Sequence, residues 1–127
     1  GGYRGTLEAY IQMKAQKIAL WDSVRPLFET YSLLLTPSLS VAAFPVGRLN
    51  PEHWPQHAWD WFPWASFSYP FNFTGHPAAT VPAGYTAAGL PVGLQIVGRR
   101  FADLTVLQAA ASFEQARPWA ARRPALD

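Results

Sequence analysis

His53 and His57 stand four residues apart, with Asp60 three further on, and form a compact group of metal-ligand side chains. On one face of a helix, two imidazoles and a carboxylate could hold a metal ion. Pro55 lies between the histidines, so such a helix would have to begin there; the competing reading is two surface histidines in an aromatic loop. His76 sits between Gly75 and Pro77 in a turn, with no carboxylate or nucleophile close in sequence. A structural hydrogen bond is therefore expected of it rather than general-base work. Ser38 and Ser40 flank Leu39 just past an apolar run, where α/β enzymes place active groups, yet turn chemistry after Pro37 accounts for both. Asn72-Phe73-Thr74 fits a glycosylation acceptor and is read as coincidental. The sequence has no cysteine, which excludes disulfides, thiolate metal sites and cysteine nucleophiles. It also has no Gly-x-Ser-x-Gly elbow, Ser-x-x-Lys pair, dinucleotide fingerprint or phosphate-binding loop.

The elements that would carry these residues follow from periodicity and punctuation. Leu7, Ile11, Ile18, Trp21 and Phe28 fall near one face, with Glu8, Gln12, Lys14, Lys17 and Asp22 filling the remainder. That spacing predicts an amphipathic helix to about Val24, broken by Pro26, then a short helix to Tyr31. Ser32 to Thr36 is a short apolar run without alternation, which predicts a strand buried on both faces of a mostly parallel sheet. Asn50-Pro51 could cap a helical turn. Residues 48–70 form a Trp/Pro-rich loop, too interrupted for a long helix and too aromatic for a solvated linker. It is expected to pack as a loop or short helix.

Ala78 to Val81 reads as a strand ending in a turn at Pro82-Ala83-Gly84. Ala87-Ala88-Gly89 supplies turn chemistry before a second strand, Val92 to Val97. Asp103 is the expected N-cap of a helix to about Ala116, stopped by Pro118, with Leu104, Leu107, Ala110, Ala111 and Phe113 facing the sheet. The order α, β, loop, β, β, α is that of an α/β chain with few strands.

Composition bounds what such a chain can be. At 127 residues it has the size of a single domain, 50% hydrophobic and 14% charged, which excludes a disordered tail. A net charge of +2, with Arg99-Arg100 and Arg122-Arg123 only as pairs, gives no nucleic-acid footprint. No apolar run reaches membrane-spanning length, and the Gly1-Gly2-Tyr3-Arg4 start lacks a signal-peptide layout, so a cytoplasmic location is expected. Twelve prolines, six tryptophans, five tyrosines and eight phenylalanines suggest a loop-rich domain with an aromatic centre. Those aromatics could fill a core or line an apolar pocket, so an independent binding module is the alternative reading.

Three stretches in series resemble the amidase signature hydrolases: Leu33-Leu34-Leu35-Thr36-Pro37, Phe71-Asn72-Phe73-Thr74-Gly75-His76-Pro77-Ala78, and Leu90-Pro91-Val92-Gly93-Leu94-Gln95-Ile96-Val97-Gly98. Order and spacing agree from about Arg4 to Arg117. The resemblance implies an α/β fold, residues 1–127 being a single partial domain from the C-terminal end, with a mixed β-sheet flanked by helices. It implies hydrolysis of C–N amide bonds by a Ser nucleophile, a second Ser in a cis peptide and a Lys base, with no cofactor. A lysine whose pKa is lowered by burial can relay the protons such a reaction moves.

The Gly/Ser-rich segment that carries those serines in the family does not occur here. No catalytic residue is therefore assigned, and the chain alone is expected to be inactive, its partner being the missing N-terminal part of the same enzyme. Exposed strand edges and apolar faces would favour a homo-oligomer of the isolated piece. By resemblance, the loop with Trp61, Phe62, Trp64, Ala65 and Ser66 approaches the small-molecule amide substrate. The glutamine-using branch places an acid near Ala65. No acid stands between Trp61 and Phe73 here, which favours an apolar or aromatic amide. Ser32 stands where the family often has Asp. Gly75 and Pro77 are expected to set a turn, and Gly93 and Gly98 to permit close approach within a strand.

Overall fold

The computed structural model describes residues 5–54 and 62–123. Helix α1 (Leu7–Val24) opens on Thr6, whose hydroxyl accepts from the Ala9 backbone N–H at 3.1 Å. This bond satisfies one of the N–H groups that a helix leaves orphaned at its start. Pro26 separates α1 from α2 (Leu27–Thr30), as its missing N–H and fixed φ require. Strand β1 (Leu33–Pro37), a 3-10 turn (Phe62–Ala65), α3 (Tyr69–Thr74), β2 (Ala78–Tyr85), β3 (Pro91–Gly98) and α4 (Asp103–Ala116) follow.

The sheet has the order β1-β3-β2, and both pairings are antiparallel. This corrects the mostly parallel, doubly buried strand expected from the Ser32–Thr36 run: β1 is an edge strand of the described sheet, and its Leu35 is 57% exposed. A short apolar run carries no information about pairing direction. The chain also does not turn at Pro82-Ala83-Gly84. β2 runs through it, with a register irregularity between Pro82 and Gly84, a position where a residue without an N–H is tolerated. The turn comes later, where Thr86 N–H donates to Leu90 O at 2.8 Å and Gly89 takes φ +81.

Alternation along β3 divides the packing. Ile96 joins Val81 and Val106 in one cluster, with Leu33, Ala79, Leu94, Ala109, Ala110 and Phe113 around it, and this seats α4. Ala110 and Phe113 pack there as expected, but Leu104 and Leu107, expected on that face, are 67% and 62% exposed; the helix is rotated so that Val106 and Ala109 point inward instead. On the opposite face Val97, wholly buried, packs with Phe28 of α2 and Phe71 of α3, and Val24 and Leu34 complete that cluster. Asp103 is the first helical residue rather than the cap, which is Ala102. There its charge still complements the helix dipole.

Of the apolar face predicted for the first helices, Phe28 is buried and Trp21 half-buried, but Leu7, Ile11 and Ile18 are 74%, 57% and 62% exposed. No residue of α1 is buried, and among the described residues nothing covers its N-terminal two-thirds. No helix among these residues is long and apolar enough to cross a membrane.

Candidate functional site

The three motif stretches converge on one sheet face. Leu34 lies opposite Val97, Thr36 opposite Gln95, and Ser38 N–H donates to Gly93 O at 3.0 Å; across β3, Ala78, Thr80 and Pro82 hold the matching positions on β2. Read along β3, this face changes from apolar at Val97 to polar at Gln95 and Gly93. The Ser38 hydroxyl donates to Thr80 Oγ1 at 3.2 Å directly over Gly93. A Cβ built on Gly93 would lie 2.6 Å from Ser38 Oγ, so the close approach expected of this glycine is what the fold uses. A cleft of about 360 Å³ opens beside it, lined by Ser38, Ser40, Val41, Thr86 and Val92 among others.

Of the residues expected to face substrate, Trp64 and Ser66 are hydrogen-bonded to Ser40, just beyond β1. Trp61 is outside the described residues, and Phe62 opens the 3-10 turn. The Trp64 indole N–H donates to Leu49 O at 2.9 Å, and the ring meets Phe44 edge-on at 5.8 Å. Ala65 is buried, and exposed Ser66 brings its hydroxyl to 2.7 Å from that of Ser40. Ser38 and Ser40 thus do not serve the turn after Pro37 that was expected of them; their hydroxyls bond Thr80, Trp64 and Ser66, 24 to 42 residues away in sequence. Sequence reasoning missed Gln95, whose buried side-chain amide donates to Thr36 Oγ1 at 3.0 Å and to Phe67 O at 2.9 Å. A polar residue at the centre of an otherwise apolar strand was the available signal. It also missed α3, although Pro70 at its start and left-handed Gly75 (φ +71) at its end are helix punctuation.

His76 is buried, stacked on Phe28 with centroids 4.8 Å apart. Thr74 uses its one hydroxyl hydrogen on Pro70 O at 2.8 Å. The 2.7 Å contact between Thr74 Oγ1 and His76 Nδ1 therefore makes Nδ1 the donor, which fixes the neutral tautomer. The structural role expected of His76 is what this geometry provides. Its imidazole floors a cleft lined also by Trp21, Arg25, Glu29, Arg99 and Arg100. Burial, and then the Arg100 charge, hold its pKa below the ordinary value of 6.5.

A folded-state pKa below the unfolded one means that the unfolded chain binds the proton first as pH falls. Stability is fully present above about pH 6.5 and declines beneath it, down to the folded pKa. Urea midpoints are expected to drop between about pH 7.5 and pH 5.5, and to drop less in His76→Leu. An unchanged slope in that variant would assign the effect to other groups.

His57 and Asp60 lie outside the described residues, and His53 is exposed; among the described residues no three His, Asp or Glu side chains gather. Lys14 and Lys17 are exposed on α1, as expected.

A sheet that brings these three motifs together is shared with a class of amide hydrolases. The model of the family described as Amidase matches residues 3–107, and the chain belongs to that family. It is 43% identical over 112 residues to an acylamidase of Rhodococcus erythropolis, an alignment spanning 84% of this chain and 22% of that protein. It is 38% identical over 117 residues to one component of the glutamyl-tRNA(Gln) amidotransferase of Geobacter metallireducens, covering 91% of this chain and 23% of that one. Among solved structures, 6-aminohexanoate cyclic dimer hydrolase complexed with substrate superposes with a TM-score of 0.80 at 31% identity, over 95% of this chain and 27% of that one. The chain thus spans about a quarter of the length of these relatives.

Proposed function

We propose that this chain acts as the C-terminal part of an amide C–N hydrolase that works by a Ser–cisSer–Lys mechanism. In this reading the catalytic groups reside outside these 127 residues, and the chain supplies one wall of the substrate site. The observation that carries it is the convergence of the three motifs on one sheet face, with the loop at Trp64, Ala65 and Ser66 hydrogen-bonded beside them. Phe62 and Trp61 belong to the same proposed wall. The lack of any acid between Trp61 and Phe73 supports an uncharged, apolar or aromatic amide over glutamine, whose amine would want a carboxylate partner.

The test is a chimera in which this chain replaces the matching segment of the Rhodococcus acylamidase, assayed beside the 127 residues alone. The chimera is expected to hydrolyse aryl amides with kcat/KM at least about tenfold above that for glutamine, and the chain alone to hydrolyse neither. Turnover by the isolated chain, or a preference of the chimera for glutamine, would overturn the reading.

A further inference from the structure

We propose that Gln95 and Ser40 are positioning residues that fasten the 64–67 segment to the sheet and thereby set which amides fit against it; this rests on the hydrolase reading above. The segment lacks the means to fix itself. It lies in and just after one 3-10 turn, with a single backbone bond from Ser68 N–H to Ala65 O at 2.9 Å closing its end. Short 3-10 pieces have poor hydrogen-bond geometry and little cooperativity of their own. Its placement therefore has to come from outside.

Besides the Trp64 indole bond to Leu49 O at 2.9 Å, two further anchors supply it. Ser40, three residues beyond β1, gives both its backbone N–H and its hydroxyl to Trp64 O, each at 3.1 Å, and its hydroxyl also meets Ser66 Oγ at 2.7 Å. Gln95, in the central strand, holds Phe67 O from the other side at 2.9 Å. The orientation of that amide is forced. Phe67 O can only accept, so nitrogen must face it, and the same nitrogen spends its second hydrogen on Thr36 Oγ1. The Thr36 hydroxyl directs its own hydrogen to Pro37 O at 3.0 Å and so is free to accept. A Gln buried at the centre of a sheet loses its hydration and is retained only where its hydrogens are used. An apolar residue would fill the same space; what Gln95 adds is a bond to a loop 28 residues away in sequence. Between the two anchored carbonyls stand Ala65 and Ser66, the residues proposed to meet substrate.

The experiment has two arms with separate readouts. In the 127-residue chain, amide exchange at residues 64–68 is expected to quicken in Gln95→Met, which keeps the volume and loses the donors, and in Ser40→Ala. Ser40→Thr should restore protection, and exchange in α4 should not change. In the chimera, Gln95→Met and Ser40→Ala are expected to raise KM for aryl amides about tenfold while kcat stays within about threefold, because binding rather than the chemical step is affected. Unaltered exchange in both variants would overturn the anchoring. Quickened exchange with an unchanged KM would overturn the link to selectivity, and a parent chimera inactive on every amide would instead sink the hydrolase reading on which it rests.

Discussion

Gly98→Val is expected to lower the stability of the chain by about 3 kcal/mol, the upper end of the range for overpacked cores. A Cβ on Gly98 would lie 2.5 Å from Val106 Cγ2 and 3.6 Å from Ala102 O, so any side chain there pushes α4 off the sheet. Val106 is 2% exposed and sits in the cluster with Val81 and Ile96. A strand glycine normally costs about 0.5–1 kcal/mol in conformational entropy, and the gain from replacing it is smaller than the clash. The melting temperature should fall by about 10 °C. The mechanism has its own check in a double-mutant cycle. Gly98→Ala should be destabilising by about 1–3 kcal/mol in the parent and by clearly less in a Val106→Ala background, where the opposing methyls are gone. Equal costs in both backgrounds would mean that the glycine serves something other than helix seating.

Phe28→Ala should be comparably severe, at about 3–5 kcal/mol, the usual cost of emptying a buried phenylalanine site. Phe28 is 3% exposed and packs against Phe71 and Val97; its ring stacks on His76, and its backbone carbonyl accepts from the Arg99 guanidinium. It therefore ties α2 to the sheet through both ring and main chain. Natural domains are stable by only about 5–15 kcal/mol, so a loss of this size removes a large part of the total. Equilibrium urea unfolding measures it. Phe28→Leu, which refills most of the volume, should recover more than half, and a Phe28→Ala loss below about 1 kcal/mol would show that the cluster is not a cooperative core. The surface pair Arg25–Glu29, at 2.5 Å but 50% and 62% exposed, gives a useful contrast. Breaking it should change stability by no more than about 0.5 kcal/mol.

These two sites also separate local from long-range information. The helices were legible because their signals lie within the segments they control. The Pro26 break and the Asp103–Ala116 span each act within a few residues, and the structure puts the α1–α2 boundary and α4 where that punctuation implies. Gly98 was readable as a place of close approach, but not as the seat of Val106, which lies eight residues on and across a packing layer. α3 went unread because six residues offer too few turns for a periodic pattern, leaving only Pro70 and Gly75 to mark it.

By itself the sequence determined the number and kind of most elements, the family motifs and the absence of any cysteine chemistry, because composition, caps and periodicity are properties of neighbouring residues. Strand direction, the rotation of α4 that turns Val106 inward, the exposed face of α1, and the pairing of Gln95 with Phe67 were decided only by tertiary structure. Each depends on which distant segments meet, and a hydrogen bond or buried contact between residues dozens of positions apart leaves no local pattern in the chain that makes it.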